Sequence, residues 1–273
     1  MDRSALVALV AGVLQGVFEW LPISSEGNIT VFLTALGSTP EAAVGFSLFL
    51  HAGTAVSAAA YYRAELREVL GALPEWRPRD AFSSEGERAT LSFLGVATLA
   101  SGVVGLTAYA TLEAAVSALT GGAFVALVGL LLVGTGVLLR VADNFEFGGR
   151  EDPDLLDALL VGSLQGLAIL PGVSRSGTTA SALLFRGHDG PSSFRLSFLL
   201  SIPAALGAGV LSVADGGVPE VGLDAAALAL ASAAVVGYLT IDALMRVVER
   251  VPFWGVCVGL GALAMLGGGL LVV

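Results

Sequence analysis

The chain has 273 residues, 55% of them hydrophobic and only 13% charged, with a mean hydropathy of +0.86. Soluble globular proteins carry about 25% charged residues, so the composition excludes an ordinary water-soluble domain and points to a polytopic membrane protein. All 13 basic residues are arginine, and the 23 acidic ones bring the net charge to −10, which removes nucleic acid as a partner.

Taken in chain order, the apolar runs are of two kinds. Residues 4–20 and 26–37 are short, and Leu21-Pro22-Ile23-Ser24-Ser25 separates them. The first run is not followed by a small-x-small cleavage pattern, so it is expected to belong to the fold rather than to a leader. Residues 42–62, 91–109 and 121–140 follow, each near the ~20 residues needed to cross a hydrocarbon core. Between the first two lies a loop with Arg63, Arg67, Arg77, Arg79 and Arg88. The acidic stretch 142–157 lacks the ligand spacing of a calcium loop and reads as a solvated linker. Short runs return at 155–169 and 177–185, split by Pro171-Gly172-Val173-Ser174-Arg175-Ser176, and His188 in the polar turn after them reads as a loop residue. Long runs at 193–214, 223–245 and 252–272 complete the chain. The single cysteine, Cys257, reads as a small buried hydrophobe, and Asp242 with Arg246 as a surface pair.

The order short–break–short–three spans occurs twice. LQGVFEWLPISSEG (14–27) lies beside LQGLAILPGVSRSG (164–177), and FSLFLHAG (46–53) beside LSFLLSIP (196–203), both at an offset of 150. Broken short helices suit re-entrant hairpins, whose irregular backbone is tolerated where protein buries it or where it lines a cavity. Three spans per copy would insert the second copy from the opposite side, the inverted-repeat architecture of many transporters. The expected fold is therefore all-α: six transmembrane helices plus two re-entrant hairpins, a single membrane domain of two inverted repeats, about 1–145 and 151–273. Alternating sides along the chain, eleven arginines fall on one face, which the positive-inside rule makes cytoplasmic with both termini outside.

Ionisable groups at membrane depth are costly and mark function, and Glu19 and Arg175 sit at the two hairpin tips. Gln15 and Glu19, four apart on one helix face, offer oxygens to a divalent cation such as Mg or Ca. Arg175, the hydroxyls of Ser174, Ser176, Thr178 and Thr179, the glycine Gly172 and a helix N-terminus together suit an oxyanion or phosphate. A plain Glu19–Arg175 salt bridge is the competing reading. For Ser24, Ser25 and Asn28 the choice lies between helix capping and chemistry.

QGVFEWLPISSEG and PGVSRSGTT resemble the two motifs of the bacitracin-resistance type of undecaprenyl-diphosphate phosphatases, over nearly the whole chain. The resemblance implies an enzyme that removes the terminal phosphate of a polyprenyl diphosphate at the outer face of the cell membrane. It assigns Glu19 and Gln15 to metal and catalysis, and Arg175 with Ser174, Ser176 and Thr179 to diphosphate binding. Ser25 or water is the nucleophile. Family members commonly carry histidine where this chain has Asn28; His51, inside the first span, is the candidate replacement. The second functional class is a polyprenyl-phosphate flippase using the same midplane site. Beyond the lipid and the membrane, a second copy of the chain is the candidate partner.

Overall fold

The computed structural model describes residues 3–83, 85–116, 119, 121–142, 148–216, 222–248 and 250–272. Among these the α-helices are, in order, α1 (Arg3–Phe18), α2 (Ser25–Ala35), α3 (Pro40–Tyr61), α4 (Arg63–Gly71), α5 (Glu87–Val116), α6 (Gly121–Ala142), α7 (Leu155–Leu167), α8 (Arg175–Phe185), α9 (Gly190–Gly216), α10 (Leu223–Val248) and α11 (Phe253–Val272). Six of them, α3, α5, α6, α9, α10 and α11, are long and apolar enough to cross a membrane. Exposed leucines and valines such as Leu99, Val103, Val210, Leu239 and Leu270 coat their outer faces, as contact with lipid requires. The protein is an all-helical, multi-pass membrane protein.

The short helices stop where the sequence dictates. With 16, 11, 13 and 11 residues, α1, α2, α7 and α8 reach about 16–24 Å at 1.5 Å per residue, short of the ~30 Å core. Pro22 cannot continue a helix, because it lacks an N–H and its ring clashes with the preceding turn. The chain resumes helical form only after Ser24, whose Oγ caps α2 by accepting from Gly27 N at 3.2 Å. Pro171 and Gly172 break the second pair in the same manner, and Ser174 Oγ caps α8 through Gly177 N at 3.2 Å.

The two halves interlock. Helix α1 packs on α10 of the second half, and α7 packs on α5 of the first. Glycine permits both contacts: a Cβ on Gly12 would lie 2.3 Å from Ala229 O, and one on Gly162 would lie 2.4 Å from Ala97 O. Helices α3 and α9 pack against each other at the centre, so the broken segments face each other beside that pair.

The acidic linker departs from its sequence reading. Residues 143–147 lie outside the described residues, but Asp157 does not behave as a solvated charge, and the half-exposed Asp154 is tied into the same network. Asp154 caps α7 in a reciprocal box with Asp157, whose side chain is buried. Arg186 Nε donates to Asp157 Oδ1 at 2.7 Å, and His188 Nε2 lies 3.1 Å from Oδ2. Arg150 reaches both carboxylates, at 3.0 and 3.2 Å. His188 does sit in a turn, yet it is fully buried as the counterpart of Asp157. Burial alone would raise the Asp157 carboxyl, but hydrogen bonds from His188, the Asp154 N–H and Arg186 outweigh it and hold the group well below the usual carboxylate range. The remaining minor readings agree with the structure: Cys257 is buried, and Asp242 pairs with Arg246 on the surface.

Candidate active site

The two breaks meet at their tips. Ser24 takes the left-handed conformation (φ 59), and no other non-glycine residue among those described does so. Such backbone costs on the order of 1–3 kcal/mol and persists where the surroundings hold it. Here the turn aims Ser24 Oγ at the other break, where it accepts from Gly172 N at 3.1 Å. Gly172 is itself left-handed (φ 103), and a Cβ on Gly27 would come 2.6 Å from Gly172 N, so the backbones nearly touch. Ser176 Oγ donates to Leu21 O at 3.5 Å, while Thr135 Oγ1 bridges Gly172 O and Ser174 N, both at 3.1 Å.

Glu19, one residue past α1, is the hub. The residue is 6% exposed, and side chains from four helices converge on its carboxylate. Gln15 Nε2 donates to Oε2 at 2.8 Å from the preceding turn, and Ser25 Oγ donates to the same oxygen at 2.9 Å from the start of α2. Arg175 Nη2, from the first residue of α8, makes a short charged hydrogen bond to Oε1. His51 of α3 stands with Nε2 at 3.6 Å from Oε2. Since His51 Nδ1 lies 2.9 Å from Ser47 O, that nitrogen carries the hydrogen and Nε2 is the one turned to the carboxylate. The carboxylate and the guanidinium predicted to share a pocket do so.

What these groups leave unsatisfied is as informative as what they bond. Arg175 Nη1 is buried with no hydrogen-bond partner, as are Glu26 Oε1 and Gln15 Oε1. Buried polar groups at membrane depth go unpaired only at a cost of several kcal/mol, so the three atoms mark a site built for something more. A cavity of about 290 Å³ opens at this point, with Glu19, Glu26, His51 and Arg175 at its polar end. The Arg175 guanidinium also lies over the Phe198 ring, 5.7 Å from its centroid, which fixes the plane of the fork.

Residues 8–263 match the family described as "Bacitracin resistance protein BacA". The chain belongs to the BacA family. A relative from Haloarcula marismortui named "Undecaprenyl-diphosphatase" is 57% identical over 96% of this chain and 97% of its own length. Relatives with the same name from Methanococcoides burtonii and Geobacter sulfurreducens are 38% and 36% identical, over 95% and 89% of this chain and 96% and 89% of theirs.

Against this BacA-family background the sequence-predicted residues sort by their contacts. Gln15, Ser25, Arg175 and His51 converge on the Glu19 carboxylate, while Ser24 and Ser176 hold the tips together and Ser174 caps α8. The Gly172 N–H is spent on Ser24 Oγ, so it has no donor left for a ligand. Thr178 Oγ1 donates back to Ser174 O at 2.9 Å, and Thr179 Oγ1 to Arg175 O at 2.8 Å, with Ser197 Oγ 2.6 Å away. These two hydroxyls brace α8. Asn28 Nδ2 donates to Ile23 O at 2.7 Å and Ser24 O at 3.0 Å, tying down the break. Glu26 is the residue that sequence reasoning passed over. Its signal was a second carboxylate in the same broken stretch, but a residue in the first turn of a helix reads as an ordinary complement to the helix dipole.

Proposed function

We propose that the protein hydrolyses a polyprenyl diphosphate, of the undecaprenyl kind named for its relatives, to the polyprenyl monophosphate and inorganic phosphate. This would recycle a lipid carrier of cell-surface glycan assembly. One observation carries the reading: the partly buried Arg175 guanidinium has one arm on Glu19 and the other, buried, without a partner, beside a serine that donates to the same Glu19. A structural salt bridge alone would leave neither the free arm nor Ser25 accounted for. The phosphatase name of the three relatives favours hydrolysis over flipping.

Phosphoryl transfer needs positioning and electrostatic stabilisation above all. Arg175, at the positive N-terminal end of α8, grips the diphosphate oxygens. Ser25 Oγ attacks the terminal phosphorus as Glu19 accepts its proton, the phosphoanhydride P–O bond breaks, and the polyprenyl monophosphate leaves with that proton. Water then attacks the phosphoserine, giving a proton to Glu19, which returns it to Ser25 Oγ as inorganic phosphate departs. His51 stands beside this carboxylate, its Nε2 3.6 Å from Glu19 Oε2. Ser24 and Ser176 keep the two tips in register, with Ser174 capping α8 and Gly172, Thr178, Thr179 and Asn28 fixing the backbone around them.

Glu19 and the unpartnered Gln15 Oε1 are hard oxygen donors that fit a divalent cation such as Mg or Ca. The described residues contain no cluster of three His, Cys, Asp or Glu able to hold a metal, so Glu19 and Gln15 are the residues that would hold such an ion. When bound, the ion supplies neutralisation of charge on the phosphoryl oxygens.

In the membrane, α1–α2 and α7–α8 are read as re-entrant hairpins dipping from opposite faces, within one domain made of inverted repeats 1–145 and 151–273. The exchange of partners between halves, α1 on α10 and α7 on α5, supports this. The arginine-rich loops lie in the cytoplasm, and both termini and the mouth of the site face outward from the plasma membrane. The test is direct. Purified protein in detergent with undecaprenyl diphosphate and magnesium should release one phosphate per lipid and leave the monophosphate. Absence of release under conditions where the protein stays folded would remove the hydrolase reading.

A further inference from the structure

Two carboxylates stand at the tips, and the protein engages only one of them. Glu19 accepts from Gln15, Ser25 and Arg175. Glu26, one residue after Ser25, is 5% exposed, and its Oε1 is buried without a hydrogen-bond partner. Neither cationic side chain at the tips pairs with it, since Arg175 and the His51 ring both stand on Glu19. A first-turn carboxylate complements a helix dipole equally well in solvent, so that role does not account for a burial that is costly.

The same face of α2 carries more such groups. Thr30 and Thr34 follow at steps of four, and the Oγ1 of each is buried with no partner. On one flank of this face Ile29 and Leu33 pack with Phe46 and Leu50, and on the other Val31 packs with Val44 and Phe124. The offset of 150 places Ser176, Ala180 and Leu184 at the equivalent points of α8, so the polar face belongs to α2 and not to the repeat. Buried polar atoms that lack a protein partner are met by ordered water. Room for it exists beside Glu26: a cavity of about 20 Å³ lies among Glu19, Ser25, Glu26, His51, Arg175 and Ser176, where one water needs roughly 10–15 Å³.

We propose that Glu26 is a further catalytic residue, which holds the attacking water of the hydrolytic step by one hydrogen, on Oε1, while Glu19 takes the other. The inference rests on the phosphatase reading of the tips. A water gripped by both hydrogens turns a lone pair to the phosphorus on Ser25. As its O–P bond forms, the Ser25 Oγ–P bond breaks, and its proton passes to Glu19 and on to Ser25 Oγ, leaving inorganic phosphate. Glu26 keeps its hydrogen bond throughout and exchanges no proton. A carboxyl group retains acceptor capacity whether or not it carries a proton, so the role requires position rather than a particular charge.

Methanol provides the test, because it has one hydroxyl hydrogen to give where water has two. Full-length protein in detergent is supplied with undecaprenyl diphosphate radiolabelled in its terminal phosphate, in buffer containing methanol, and labelled inorganic phosphate and methyl phosphate are separated. Glu26→Leu should lower release of inorganic phosphate tenfold or more and raise the ratio of methyl to inorganic phosphate tenfold or more. Glu26→Gln, which keeps an acceptor oxygen in the same place, should lie between wild type and Glu26→Leu in both readings. An unchanged product ratio in Glu26→Leu would overturn the proposal whatever the turnover, since a role in folding or in cation binding slows both products alike. A Glu26→Gln ratio at or beyond that of Glu26→Leu would overturn it too. Should Glu26→Leu not fold, Glu26→Gln decides: a raised ratio at a native melting temperature supports the proposal, and the wild-type ratio overturns it. Hydrolysis by the wild type with unmoved ratios in the variants removes this inference alone. A wild type that forms neither phosphate product removes the phosphatase reading, and this inference with it.

Discussion

Replacing Arg175 with lysine separates the guanidinium fork from mere positive charge. The native side chain reaches two places at once, with Nη2 on Glu19 Oε1 and Nη1 buried beside it without a partner. A lysine ammonium is one point donor group and occupies only one of them. Because the charge is kept, the buried Glu19 retains a counterion, and the ~3–5 kcal/mol expected for leaving a buried charge unpaired is avoided. The loss therefore falls on the transition state. Removing a single preorganised donor to a developing oxyanion costs about 2.7–4 kcal/mol, or ~10²–10³ in kcat. Stacking on Phe198 is lost too, worth about 0.5–2 kcal/mol. Phosphate release from undecaprenyl diphosphate should thus fall at least ~10²-fold in kcat, with the melting temperature of the detergent-solubilised protein changed by only a few degrees. Turnover within about threefold of wild type, well inside that ~10²-fold margin, would show that the fork does not grip the phosphoryl group, and the argument from its free arm would fail.

Other variants probe neighbouring links. Glu19→Gln removes the base and should lower kcat by ~10²–10⁴, read in the same phosphate assay. Ser25→Ala should abolish an acid-stable phosphoserine trapped from terminally labelled substrate; if turnover persists near the wild-type rate, water is the attacking group. Gly172→Ala forces a left-handed backbone onto alanine and places Cβ 2.4 Å from Val128 O. Conformation alone should cost about 1–3 kcal/mol, visible as a lower melting temperature. Asp157→Asn removes charged hydrogen bonds to Arg186 and Arg150, worth about 1.5–3 kcal/mol, and should destabilise the fold while leaving KM unchanged. The sign with pH follows from the lowered folded-state pKa: the Asp157 contribution is fully present above the unfolded value of about 4 and is lost as pH falls below it. The melting temperature of wild type should therefore drop towards acid by more than that of Asp157→Asn.

Hydropathy and helix-breaking chemistry made much of the frame legible in advance. The six spans and both interruptions follow from run length and from Pro22 and Pro171, because lipid demands continuous apolar helices and proline stops them. Arg175 and Glu19 stood out because a charge in such a sequence has few structural reasons to exist. Contacts between distant elements were not legible. His51 lies in a span where a lone histidine has no periodic signature, and only the packing of α3 beside the first break brings it to Glu19. The bond from Gly172 N to Ser24 Oγ depends on a left-handed serine that no composition announces. Asp157 and His188 are 31 residues apart, one in an acidic stretch and the other in a polar turn. Each taken alone suits solvent, and only the return of α8 beside the start of α7 buries them together. Glu26 was hidden because its place in a first helical turn has a sufficient local explanation.

The measurement closest to the central claim is an experimental structure of the protein with a prenyl diphosphate bound in a non-turnover variant such as Ser25→Ala. The account predicts the diphosphate between the two breaks, its terminal phosphate on the Arg175 guanidinium and next to residue 25. A diphosphate bound elsewhere, with Arg175 still closed on Glu19, would contradict it.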